Sequence, residues 1–182
     1  MAGQLRLILL IFTLACALIF GPAGVFAQGA AKLHRHKAFR VKALRAGWFR
    51  DKELAILLGT RAASFARRLI GVPYVYGGSS PRSGFDCSGF VRYVYNRVGI
   101  NLPHNSYADF NLGQRVSRWA LQPGDLVFFN GVGHVGMYIG NGRFIHAPHS
   151  GTRVQITTLA GYGTFDGARR LVAGAKRQLL HG

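Results

Sequence analysis

The stretch Gly133-His134-Val135-Gly136-Met137-Tyr138-Ile139-Gly140-Asn141-Gly142-Arg143-Phe144-Ile145-His146-Ala147 decides how this chain is read. It contains two short β-type runs joined by Gly140-Asn141-Gly142, the composition of a tight hairpin turn. A histidine lies on each arm, so the length of the turn decides whether the two meet. If Asn141-Gly142 alone made a two-residue turn, Ile139 would face Phe144 and the imidazoles would point to opposite sides of the sheet. A three-residue loop, Gly140 to Gly142 with Gly142 left-handed, pairs Gly136 with His146 and leaves room for the ring. The histidines then become diagonal neighbours on one face, roughly 7 to 8 Å apart at the backbone. The three-residue loop is the expectation, because only this register gives a base and an orienting partner on one face.

Outward from the hairpin, further β-type runs occupy residues 125–129, 154–157 and 169–172. The upstream pattern is helical. Leu54, Leu57, Leu58, Ala62, Phe65, Ala66 and Leu69 recur at helical spacing over residues 53–70, until Gly71-Val72-Pro73 stops the helix. A Gly-rich stretch without period, 74–84, delivers the chain to Phe85-Asp86-Cys87-Ser88. There a second helix begins, with Asp86 as N-cap, Phe90, Val91, Val94 and Val98 on one face, and Gly99 as its stop. A short third helix is expected within 106–112. Helices first and strands afterwards indicate an α+β domain, its N-terminal helices packed on an antiparallel sheet.

At the N-terminus, one basic residue, an apolar run from Leu7 to Phe20 and a small-residue stretch ending at Ala27 read as a secretory signal peptide. The apolar run falls short of the roughly 20 residues that span a bilayer. An uncleaved anchor and a lipid-modified Cys16 are the other two readings. Cleavage leaves Cys87 as the single cysteine, which cannot form an internal disulfide; such a thiol is either buried as an inert apolar group or reactive. Residues 28–53 then form a basic arm or linker, rich in Lys and Arg over 32–52, and 54–182 the folded domain.

With 23 Lys plus Arg against 6 Asp plus Glu, the 182-residue chain carries a formal charge of +17. So few acids make a paired-carboxylate glycosidase or an oxygen-rich Mg or Ca cage improbable. The charge calls for an anionic partner, and the expected ones are anionic envelope polymers or lipid headgroups met by the arm; a plain solvated linker is the alternative. Nucleic acid is not expected, since the chain is read as exported and has no nucleic-acid-binding signature.

Cys87 opens a helix, where unpaired N–H groups and the positive end of the dipole favour thiolate. That position makes it a nucleophile candidate if a base is near, and His134 and His146 are the plausible ones. His34, His36, His104, His149 and His181 read as surface or loop residues. The match Gly131-Val132-Gly133-His134-Val135-Gly136 to a dinucleotide fingerprint fails, because a hairpin rather than a helix follows it and no acid lies between Asp125 and Asp166. A zinc site from Cys87, His134 and His146 lacks ligand-pair spacing, so neither a metal nor a cofactor is expected.

The motifs Val72-Pro73-Tyr74-Val75-Tyr76-Gly77-Gly78, Phe85-Asp86-Cys87-Ser88-Gly89-Phe90, Gln122-Pro123-Gly124-Asp125-Leu126, Gly133 to Gly140 and Phe144-Ile145-His146-Ala147 resemble, in order, those of NlpC/P60 cysteine peptidases. The resemblance implies a papain-like core and cleavage of peptidoglycan stem peptides, often between γ-D-glutamyl and a diamino acid. It makes Cys87 the nucleophile, His134 the general base and acid, and His146 the residue that orients His134. It further implies Tyr74, Asp86 and Ser88 as substrate contacts. Export places such an enzyme in the periplasm, at the cell envelope or outside the cell, with no stable membrane span after cleavage. A Cys-dependent amidase or acyltransferase on the same fold, and a non-catalytic envelope-binding protein, are the competing readings.

Overall fold

The structure, a computed structural model, describes residues 51–171. The expectations for the leader, Cys16, nearly all of the basic arm, His34, His36 and His181 fall outside the described residues.

Helix α1 runs through 51–66, tightens into a 3-10 turn at Arg67–Leu69 and ends at left-handed Gly71. Its buried side chains are mostly small: Ala55, Ala62, Ala63 and Ala66, with Leu69 after them. The expected stripe is therefore shifted, since Leu54 and Leu57 are exposed. Alanine lets the helix lie close to what it packs on, whereas leucine would hold it off. Helix α2, Cys87–Asn96, buries Phe90, Val91, Val94 and Tyr95, and Gly99 follows it at φ +79°. The third helix, α3, is a single turn at Ser106–Asp109.

In the Gly-rich stretch the chain makes a small ladder of β1, Ser79–Ser80, and β2, Gly84–Phe85. The main sheet holds β3 (Gln114–Val116), β4 (Leu126–Phe129), β5 (His134–Gly140), β6 (Arg143–His146), β7 (Gln155–Thr158) and β8 (Phe165–Arg170). Its order is β3-β8-β4-β5-β6-β7, with every neighbouring pair antiparallel. Two of these strands depart from the expectation. β3 gives no apolar alternation, and β8 begins at Phe165 rather than 169, because Asp166 and Gly167 hide a strand that pairing on both sides nevertheless forms.

Alternation along β5 divides the protein into two cores. Val135, Met137 and Ile139 join the helix-side cluster with Phe90, Val91 and Val94. On the other face Val127, Phe129, Phe144, Leu159 and Ala168 form the second cluster, and β5 adds His134, Gly136 and Tyr138 there.

The hairpin has the expected register by a different device. Met137 pairs with Ile145 and Tyr138 with Phe144, yet Gly140 pairs with Arg143. A two-residue turn, Asn141-Gly142 with φ +54° and +64°, is therefore combined with a bulge between Tyr138 and Gly140. The bulge restores the register that brings the histidines to one face. Nor does His146 fill the room left at Gly136: a Cβ there would meet Phe144 Cδ2 at 2.5 Å.

Candidate active site

Cys87 owes its position to the residue before it. Asp86 is extended, at φ −91° and ψ −179°, and its Oδ1 accepts from Gly89 N at 2.7 Å, a side-chain N-cap. Its Oδ2 accepts from Gly77 N at 2.9 Å, which ties the Gly-rich loop to the helix start. Ser88 Oγ donates to Oδ1 at 3.3 Å, and His104 Nε2 lies 2.8 Å from Oδ1 and 2.9 Å from Oδ2. The lack of a side chain at Gly89 permits this assembly, since a Cβ would collide with Gly78 O and approach His104 Nε2 to 2.8 Å.

Across from the helix start, His134 Nε2 lies 2.8 Å from His146 Nδ1, and His146 Nε2 lies 3.0 Å from Thr157 Oγ1. Three adjacent strands thus supply a hydrogen-bonded row. The residues before His134 are held in an unusual path, with Asn130, Gly131 and Val132 all left-handed at φ +58°, +67° and +64°. A β-branched residue there costs on the order of 1–3 kcal/mol. Offsetting contacts come from the start of β8: Val132 N donates to Asp166 Oδ2 at 2.7 Å, Asn130 N to Thr164 O at 2.9 Å, and Thr164 N to Asn130 Oδ1 at 3.1 Å.

Burial dominates the electrostatics. It pushes the Cys87 thiol above its ordinary range; the Val135 N–H pulls it back, Asp86 raises it, and the N–H groups of Ser88 and Cys87 itself lower it. The helix start therefore moderates the thiol without making it a resting thiolate. Contact with the Val135 N–H also brings Cys87 to the strand that begins at His134. Burial, with His149 adding to it, lowers His134 to about 4. Burial, His134 and His149 lower His146 to about 3. The resting groups are a neutral thiol and neutral imidazoles.

Beside the thiol opens a cleft of about 370 Å³ whose walls include Tyr74, Tyr76, Asp86, Cys87, Ser88 and His104. All three residues expected to contact substrate line it. Among the described residues, no cluster of three His, Cys, Asp or Glu groups is arranged to hold a metal ion, and no helix is long and apolar enough to cross a membrane.

Residues 71–166, more than half of the chain, match the NlpC/P60 family. The chain belongs to the NlpC/P60 family. It is 48% identical over 99 residues to the murein DD-endopeptidase MepH of Escherichia coli, covering 50% of this chain and 36% of the relative. To the gamma-DL-glutamyl hydrolase of Bacillus subtilis it is 46% identical over 91 residues, 47% of this chain and 22% of that protein. The chain thus spans between a fifth and two-fifths of the length of these curated relatives. The NlpC/P60 domain of the peptidoglycan hydrolase SagA superposes with a TM-score of 0.58 at 37% identity, over 62% of this chain and 98% of that one. A Bacillus cereus NlpC/P60 protein gives 0.60 at 36% identity, over 63% and 40%. The fold is accordingly the papain-like α+β fold of these domains.

Within this NlpC/P60 domain the structure adds residues that sequence reasoning missed. His104 is no bystander loop histidine, since it pairs with Asp86 in the cleft; Pro103 and the N-cap at Asn105, whose Oδ1 accepts from Ala108 N at 3.0 Å, direct the loop there. His149 acts on the pair electrostatically. Thr157 and Tyr162 meet the histidines from β7 and the loop after it, and no motif marks either of them.

Proposed function

We propose that this protein is an exported cysteine endopeptidase that hydrolyses peptidoglycan stem peptides, with Cys87 as nucleophile, His134 as base and acid, and His146 as its orienting partner. The observation that carries the reading is the row His134 Nε2···His146 Nδ1 at 2.8 Å and His146 Nε2···Thr157 Oγ1 at 3.0 Å, at the strand end that meets Cys87. A neutral His134 that donates from Nε2 has a bare Nδ1, the nitrogen able to take a proton. His146 then accepts at Nδ1 and donates from Nε2 to Thr157.

In the first step the thiol proton passes to His134 as sulfur attacks the carbonyl carbon, forming the S–C bond. The Cys87 N–H at the helix start stabilises the oxyanion. Collapse breaks the C–N bond, and His134 returns the proton to the leaving amine. Water, deprotonated by His134, then attacks the thioester, releasing the acid and the thiol. The cleft takes the acyl side of the peptide through Tyr74, Asp86 and Ser88. The bond between γ-D-glutamyl and a diamino acid is the proposed target, supported by the relative named as a gamma-DL-glutamyl hydrolase. The basic arm holds the enzyme near an anionic envelope, and the leader supports a place in the periplasm, at the envelope or outside the cell.

Mass spectrometry of muropeptides digested with wild type and Cys87→Ala tests the proposal. A new amine terminus at the diamino acid is expected from wild type alone. Equal digestion by both proteins rejects the peptidase, and transfer of the acyl group to an added amine in preference to water favours the acyltransferase.

A further inference from the structure

The histidine pair is touched by an aromatic residue that does not line the cleft. Tyr162, in the loop between β7 and β8, packs against His146 at 5.0 Å between ring centroids and 89°, and against His134 at 5.7 Å and 47°. It also packs against Phe144 at 4.9 Å and Phe129 at 5.0 Å. Tyr162 is not among the residues that line the cleft. Burial first, and Cys87 after it, raise the Tyr162 phenol above its ordinary range.

We propose that Tyr162 is a positioning residue, whose flat ring keeps the His134 and His146 imidazoles in the single arrangement that leaves His134 Nδ1 free. Each imidazole is a small ring on two rotatable bonds; His146 is hydrogen-bonded at both nitrogens, to His134 and to Thr157, whereas the hydrogen bond to His146 holds His134 at Nε2 only. A third ring in contact with both, T-shaped to His146 and tilted to His134, restrains them further. In a papain-like site this matters twice, because His134 has to face the thiol in acylation and a water in deacylation without turning over. The loop that carries Tyr162 leads into Thr164 and Asp166, which hold the residues before His134. One short segment thereby sets both the backbone and the ring of the base.

The activity arm of the test rests on the proposed peptidase reading; the spectroscopic arm does not. In full-length protein labelled with ¹⁵N-histidine, long-range ¹H–¹⁵N spectra at neutral pH should show His134 and His146 as single, fixed tautomers in wild type and in Tyr162→Phe. In Tyr162→Ala, and in Tyr162→Leu, which keeps apolar volume without the flat ring, the His134 signals should move to tautomer-averaged positions. With a stem-peptide substrate, kcat should fall by up to about 100-fold in Tyr162→Leu at little change in KM, as expected for a misplaced reacting group, while Tyr162→Phe stays within about 3-fold. Fixed tautomers in both the Ala and Leu variants overturn the proposal. A loss in Tyr162→Phe as large as in Tyr162→Leu also overturns it, by assigning the work to the hydroxyl. Absence of peptide cleavage by wild type, with the spectra as expected, removes the function and leaves the positioning role.

Discussion

At the scale of single residues, the candidate site combines a half-buried thiol with two buried imidazoles, and burial favours the neutral form of each. Burial lowers His134 to about 4 and raises Cys87, so the neutral pair that the proposed attack requires persists over a wide range. The limbs belong to the coupled pair rather than to either group alone. The acid limb of kcat/KM should therefore have a midpoint near pH 4, and a midpoint near the ordinary imidazole value of about 6.5 contradicts this electrostatic account. Thr157 supports a second test. Thr157→Val removes a hydrogen bond worth about 0.5–1.5 kcal/mol, so kcat should fall roughly 2- to 10-fold with KM unchanged and Thr157→Ser restoring it; wild-type kcat in Thr157→Val would show that His146 needs no outer partner. Cys87, His134 and His146 were legible because helix start and hairpin are local patterns. Thr157, Tyr162 and His104 were not, because pairing and loop closure bring them in from distant positions, which no residue spacing encodes.

At the scale of elements, the hairpin shows what a pattern does and does not determine. Opposed faces for hydrophobic and polar side chains fix the register, so the pairing of Met137 with Ile145 could be anticipated. Whether an extra residue sits in the loop or in a bulge beside it leaves the faces the same, and the sequence is silent between them. Strand β8 illustrates the opposite limit, since its central position between β3 and β4 overrides the weak β-propensity of Asp166 and Gly167. What fastens it is a part-buried ion pair: Arg170 Nε to Asp125 Oδ1 at 2.8 Å and Arg170 Nη2 to Asp125 Oδ2 at 2.7 Å. Asp125 Oδ2 also accepts from Gln122 N at 2.8 Å, so the carboxylate orders the turn that enters β4. Removing Asp125 leaves the Arg170 guanidinium without its carboxylate, in a position that is only partly open to water. Asp125→Ala should cost about 1.5–3 kcal/mol in denaturant unfolding, and a loss below about 1 kcal/mol would show that water already screens the pair.

For the whole molecule, three buried titratable groups set opposing slopes of stability against pH. His134 and His146 have folded values of about 4 and about 3, below the unfolded value of about 6.5. The unfolded chain therefore binds two more protons than the folded one between about pH 4 and 6.5, and stability rises with pH through that window. Asp109 works the other way. Its side chain is fully buried, neither oxygen has a hydrogen-bond partner, and burial, only partly offset by Arg92, raises it to about 8. Between about pH 4 and 8 the folded protein keeps a proton that the unfolded chain has lost, so this group makes stability fall as pH rises. Below about 6.5 two protons outweigh one and the net slope is upward; from there to about 8 only Asp109 contributes, and the slope is downward at up to about 1.4 kcal/mol per pH unit. The Tm should therefore peak near pH 6.5. Asp109→Asn, which keeps the shape and cannot ionise, should abolish the decline between pH 6.5 and 8 while leaving the acid side unchanged. A variant with the same alkaline decline as wild type would show that Asp109 is ionised in the native protein, with a partner for its charge.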